Sequence, residues 1–232
     1  PYTASGTGVG ASLLPRWAET GGRDSLAWRI KDPATHERLI VEMTENMRRR
    51  GGANSLLITG GRDSSIRGKR LDDVARAWST TPIEAAMTIV LNGDASVASF
   101  NMLEADIVAF MVQDFISTDS DGSDGHPRKY GTFAKLFHEY VAQRHVLTLP
   151  QAVRRSSSAS AQMLGFTERG TLATKYFADV IVFDAATFAD RATYEEPTLL
   201  AVGMKYVLVN GAVTIDDGRY TGVTAGRVLR RQ

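Results

Sequence analysis

Three aspartates, Asp119, Asp121 and Asp124, fall within six residues in the stretch FISTDSDGSDGHPRKYGTF, Phe115–Phe133. His126 and Arg128 follow at once. Carboxylates accept protons in general acid–base chemistry, and an arginine fork grips a carboxylate through two parallel hydrogen bonds. The set therefore has the parts to move a proton on a small acidic substrate while holding it. If DFISTDS is a short strand, S-D-G at its end points a carboxylate at the C-terminal rim of a parallel sheet, where barrel enzymes keep their active sites. An Asp that only caps the following turn fits the same letters equally well. On a strand Asp119 shares the face of Asp121 and is the alternative to it; Asp124 shapes the loop, and His126, ahead of Pro127, orients it.

Other routes to chemistry are thinner. There is no cysteine, so disulfides, thiolate nucleophiles and Cys-based zinc sites are excluded. The four histidines, His36, His126, His138 and His145, form neither HxH nor HExxH, so a self-contained zinc site is not expected on ligand count. GTGVGA, Gly6–Ala11, has the form of a dinucleotide loop and gives the rival reading of a nucleotide-binding module. That motif needs a strand before it and a helix after it, and a Gly/Ser/Thr-rich loop is expected here instead. A net charge of +1 gives no electrostatic case for nucleic acid or an anionic membrane. The run Arg48–Arg50 reads as the solvated end of a helix. No apolar run is long enough to cross a bilayer, and no signal peptide is visible ahead of PYTASGTG. A cytoplasmic location is the expectation.

The elements that must carry these residues are punctuated by clear signals. Asp32 and Pro33 open a helix through Arg50, with Leu39, Met43 and Met47 as its apolar stripe and Gly51-Gly52 as its stop. Thr81 and Pro82 open another, closed by Gly93. Helices are expected over Leu71–Trp78, within LEADIVAFMVQ, over Thr132–Gln143 and over Leu149–Ser156. NSLLITG, ASVASF and DFISTDS are candidate buried strands between helices. Alternation of this kind predicts βα units around a parallel sheet. From about residue 169 the chain turns to β-type runs, FADVIVFD, MKYVLVNGAVTIDDG and GRVLRR, with hairpin turns at Asn210-Gly211 and Asp216–Gly218.

Together these segments resemble the C-terminal half of the N-acyl-D-amino-acid deacylases (D-aminoacylases), members of the metal-dependent amidohydrolase superfamily. PYTASGTG resembles the tail of that family's YPYxA loop, and SFNMLEADIVAFM its F-x-M-x-E-x-D-V segment. SDGSDGHPRKYGTF resembles its SDG…HPR-x-x-GTF signature. FADVIVFDAATFADRATYEEP and VLVNGAVTIDDGRYTGVTAGRVLR follow its closing segments. The implied fold is α/β: residues 1–168 the C-terminal half of a (β/α)8 TIM-like barrel, with a mostly helical insertion at about 14–92, and residues 169–232 part of a β-sandwich. One departure is Lys175, which stands where the family's turn usually has glycine.

The resemblance also implies roles. Asp121 would end the eighth barrel strand, contact the zinc site and act as general base, and Arg128 would bind the substrate's α-carboxylate. A serine near the YPYxA loop helps hold that carboxylate in the family; its counterpart here is Gly6, leaving Ser5 and Thr7 beside it as substrate-binding candidates, together with His126. The implied reaction is zinc-dependent hydrolysis of N-acyl-D-amino acids, a small-molecule substrate. In this family most zinc ligands lie upstream of the matched region, so the chain is expected to be a fragment, inactive by itself. Amidohydrolases acting on cyclic amides or N-acyl peptides, and a non-catalytic relative, remain alternatives; acyl group, metal number and oligomeric state are left open.

Overall fold

The computed structural model describes residues 1–230. They form two compact units: Tyr2–Glu104 with the short piece Ser123–His126, and Pro1, Ala105–Gly122 and the chain from Pro127 onward. This partition runs across the sequence boundary at 168/169.

The first unit is built on a three-stranded sheet of β1 (Ala4–Gly8), β2 (Leu56–Gly61) and β3 (Ala95–Phe100), in the order β1-β3-β2. Both pairings are antiparallel, which corrects the expectation of parallel strands. The reason is the parity of the connection. Between β2 and β3 lie two helices, α5 (Leu71–Ala77) and α6 (Pro82–Leu91), packed on each other. One helical pass returns a chain to where the previous strand began and gives a parallel neighbour. Two passes leave it where that strand ended, so β3 must run back alongside β2.

The stretch expected as an N-terminal loop is instead β1 followed by α1 (Val9–Leu13). Two short helices, α2 (Arg16–Glu19) and α3 (Gly22–Lys31), lead to α4 (Pro33–Arg49). α4 starts as expected, with the Asp32 carboxylate accepting the Thr35 N–H at 3.0 Å and Pro33 at the first position. Its stripe of Leu39, Met43 and Met47 is buried against Leu56, Ile58, Val97 and Ala86, which form this unit's core. Arg48 and Arg49 both pair with Glu45, while Arg50 turns inward and donates to Ser12 O at 3.0 Å. The run of three arginines thus ends a helix, as expected, but its last member ties that end to α1.

In the second unit α7 (Glu104–Met111) precedes a stretch without regular structure, then α8 (Arg128–Lys135). α8 continues into a π-helical stretch, Leu136–Gln143, followed by α9 (Leu149–Ser156) and α10 (Ser158–Leu164). The expected strand DFISTDS is not one: it enters no ladder among the described residues. A strand needs a hydrogen-bonded neighbour, and none lies alongside this segment within the described sheets. The tail is a meander of β4 (Val180–Phe183), β5 (Met204–Val209), β6 (Ala212–Asp216) and β7 (Arg219–Tyr220), all antiparallel. Its turns are the expected ones, with positive φ at Asn210 and Gly211 and again at Asp217 and Gly218, as a two-residue hairpin of type I′ requires. Of GRVLRR, Gly226–Arg230 form no strand and Arg231 lies outside the described residues. The core gathers Leu136, Phe137, Tyr140, Leu147 and Phe188, and the Phe183 and Phe188 rings lie 4.9 Å apart.

Candidate functional site

Asp121 and Arg128 are brought together. Arg128 Nη2 lies 2.9 Å from Asp121 Oδ2, across the six residues of the loop between them. Arg128 is the first residue of α8, where the helix dipole favours an anion and disfavours a cation. The Asp121 carboxylate supplies the missing negative charge. Asp121 itself has φ +44°, a left-handed conformation that costs a residue with a Cβ about 1–2 kcal/mol. The two side chains differ sharply in exposure: 13% for Arg128 and 80% for Asp121. An ion pair with one member so exposed contributes about 0–1 kcal/mol, so little opposes its opening to admit another carboxylate.

Asp119, the alternative, is turned to local use: its Oδ1 accepts the N–H of Ser120 at 2.7 Å. Ser5 and Thr7 stand on β1 in the first unit, two residues apart and so on one face of the strand. Ser5 Oγ donates to Asn101 Oδ1 at 3.4 Å. His126 is buried, with 2% exposure, and its Nε2 lies 3.0 Å from Ala4 O. A carbonyl only accepts, so that nitrogen carries the proton. The edge of the Tyr2–His126 pair, at 5.3 Å and 88°, completes the contact. His126 therefore fastens the loop to β1, the strand that carries Ser5 and Thr7. Gly125 lets Ser123–His126 lie close against β2: φ is +78°, and a Cβ there would meet Thr59 Cβ at 2.8 Å, at the bulge between Ile58 and Gly60.

The remaining histidines have local partners. His36 bridges Ile30 O and Glu84, His138 faces Asp190 and Gln143, and His145 meets Val141 O. Among the described residues no three His, Cys, Asp or Glu side chains gather where a metal ion could be held.

GTGVGA has the strand and helix that its sequence context hid, but the place of a phosphate is filled. Asp94 Oδ1 accepts the Gly10 N–H at 3.0 Å and the Ala95 N–H at 2.8 Å. A Cβ on Gly8 would stand 2.8 Å from Asp94 Oδ2, and one on Gly10 3.0 Å from it. The glycines make room for this carboxylate, and a carboxylate repels a phosphate. Asp94 is 84 residues from its partner, so no local pattern points to it.

Residues 15–215 match the model of the amidohydrolase family. The chain belongs to the amidohydrolase family. Among members of this family, an N-acyl-D-glutamate deacylase of Alcaligenes xylosoxydans xylosoxydans is 34% identical over 168 residues, 71% of this chain and 34% of the relative. A D-aminoacylase of the same organism is 35% identical over 72% of this chain and 34% of its own length. A solved structure of N-acyl-D-glutamate deacylase from Bordetella bronchiseptica, complexed with zinc and a phosphonate mimic of the tetrahedral intermediate, superposes with a TM-score of 0.70. It is 32% identical, and the match covers 95% of this chain and 40% of that one. The amidohydrolase chain described here thus spans about a third of the length of the curated relatives it matches. No helix among the described residues is long and apolar enough to cross a membrane.

Proposed function

We propose that this chain is the part of a zinc-dependent N-acyl-D-amino-acid deacylase that carries its general base and its substrate clamp. The observation that carries the reading is the Asp121–Arg128 pair, an exposed carboxylate beside a mostly buried guanidinium. In this reading the substrate's α-carboxylate displaces Asp121 from the Arg128 fork. Asp121, released, takes a proton from the attacking water and passes it to the departing amine. The breaking bond is the amide C–N; the water oxygen bonds to the acyl carbon, and the products are a carboxylic acid and an amino acid. Zinc, the metal of the Bordetella relative, would supply Lewis acidity for the acyl carbonyl, with Asp121 as one contact and most other ligands beyond the described residues.

With the α-carboxylate pinned on Arg128 and the scissile amide at the reacting centre, the side chain points to opposite sides for the two hands; that the D hand is the one accepted rests on the likeness to D-aminoacylase. Ser5 and Thr7 on β1 are proposed as further substrate-binding residues on the strength of the family likeness alone. His126 is proposed to contribute by holding that strand to the loop. In the same reading residues 1–168 belong to the C-terminal half of a TIM-like barrel, with the helical insertion at about 14–92, and residues 169–232 to a β-sandwich. The setting proposed is cytoplasmic, which the lack of cysteine fits.

The test is Asp121→Asn in the full-length protein, assayed for release of D-amino acid from N-acyl-D-amino acids. The amide is isosteric but cannot take a proton, so turnover should be abolished while thermal unfolding is unchanged. Turnover near that of the unaltered protein removes Asp121 from the role.

A further inference from the structure

Arg155 is buried on α9, with 4% exposure, yet makes no ion pair with a carboxylate among the described residues. Burial pushes its guanidinium's pKa down, and Asp114 offsets this only in part. A desolvated cation is costly unless its hydrogen bonds are needed. Its Nη1 donates to the carbonyl of Met111, the last residue of α7, where the helix dipole favours a cation. Its own carbonyl accepts the Thr118 N–H at 3.0 Å and the Ser160 hydroxyl at 2.9 Å. Its neighbour Arg154 donates to Asp114 O at 3.4 Å, and Ser117 Oγ lies 3.8 Å from Met163 Sδ on α10.

Apart from the Ser160 bond, these contacts fall on the last residue of α7 or on the stretch after it that enters no ladder. Met111, Asp114, Ser117 and Thr118 are each fastened to the end of α9 or to α10, and Asp121 follows three residues after the last of them. Where a strand would have its direction set by neighbours, this segment has it set by side chains and one carbonyl from a helix end. We propose that Arg155 is a positioning residue: it holds the Val112–Ser120 segment in register and so aims the Asp121 carboxylate. The proposal rests on Asp121 being the base, and it predicts a local effect that a general contribution to stability would not produce.

Two measurements on the full-length protein test it. In Arg155→Met, which keeps length and removes the donors, backbone amides of residues 112–121 should exchange about tenfold faster or more, with those of α8 and β4–β6 unchanged. Turnover of an N-acyl-D-amino acid should fall about 10- to 100-fold in kcat with KM within about threefold, as expected for a misplaced base. Arg155→Lys, which keeps the charge and one donor, should recover part of both. Wild-type exchange at 112–121 overturns the proposal. So does faster exchange spread evenly over the unit, or unchanged kcat beside local loosening. If Arg155→Met does not fold, Arg155→Lys decides on the same two readings: local loosening with a partial loss of kcat supports the proposal, and wild-type behaviour overturns it. The exchange measurement does not involve the role of Asp121. Full turnover by Asp121→Asn would sink the base assignment while local loosening in Arg155→Met still upheld the fastening of the segment.

Discussion

Asp94 offers the sharpest test of how the GTGVGA loop is built. Its carboxylate serves the buried N–H groups of Gly10 and Ala95, and it sits at φ +64°. Asp94→Ala leaves both donors without an acceptor, at about 1–3 kcal/mol each when buried, and keeps the unfavourable φ. Because Asp94 is only half-buried, water can soften this, and a loss of about 2–3 kcal/mol is expected. Asp94→Gly loses the same bonds but relieves about 1–2 kcal/mol of left-handed strain, less about 0.5–1 for the freer unfolded chain. It should therefore cost less than the alanine. Asp94→Asn keeps an oxygen acceptor, tolerates the left-handed conformation and gives up only the charge at a short helix's start, about 0.5–1 kcal/mol. The expected order of stability is wild type, Asn, Gly, Ala. All three tryptophans, Trp17, Trp28 and Trp78, lie in the first unit, so urea unfolding followed by their fluorescence reads that unit alone. Gly8→Ala supplies the second half of the test, since its Cβ would press on a carboxylate held by two N–H groups. It should cost about 1–3 kcal/mol alone and clearly less in the Asp94→Ala background, a coupling that only direct contact produces. Glycine worse than alanine at 94, or additive Gly8 and Asp94 effects, would refute the reasoning.

Lys175 has φ +72° at the third position of the turn closed by Tyr176 N–H to Ala173 O, 3.1 Å, where glycine is preferred. Lys175→Gly should stabilise by about 0.5–1 kcal/mol, raising Tm by roughly 1–3 °C, while Lys175→Ala should change little, as calorimetry can check. Glu45, hydrogen-bonded first by Arg48 and then by Arg49, has its carboxyl lowered from the ordinary 4.5 to about 2. Its folded-state value is depressed, so its stabilising effect is complete above about pH 4.5 and is lost as pH falls towards 2. The Tm difference between wild type and Glu45→Gln should be small, vanish over that window and shrink in about 1 M salt, where charges are screened within about 3 Å. Arg128→Lys in the full-length protein should raise KM for N-acyl-D-amino acids about tenfold or more, because an ammonium cannot form the planar fork; unchanged steady-state kinetics would remove Arg128 as the clamp.

What could be read from the sequence was what is decided within a few residues. Asp32 and Thr81 cap their helices by accepting a backbone N–H three positions on, and the Asn210-Gly211 and Asp217-Gly218 turns close their hairpins through their own positive φ, so each is decided within a few residues. Strand direction needs more than that. Both helices between β2 and β3 are legible, but alternation of strands and helices alone suggests a parallel sheet, whereas two passes between neighbouring strands turn the second strand back. DFISTDS has a strand's letters, but a strand also requires a neighbour, and here the role of neighbour falls to Arg154 and Arg155 on α9. In sequence those two look like solvated charges on a helix end; only the fold shows that one faces inward. The same holds for Asp94, an unremarked residue after a helix stop until the loop 84 residues before it is folded against it. Asp121 and Arg128 could be picked out because HPR sits a fixed, short distance from S-D-G, so their meeting needs one loop closure. What fixes the segment ahead of Asp121 comes from further along the chain, the Arg155 carbonyl accepting the Thr118 N–H and the Arg154 side chain donating to Asp114 O. No pattern of letters near Asp121 announces either contact, because both partners stand on α9, some 35 to 40 residues downstream.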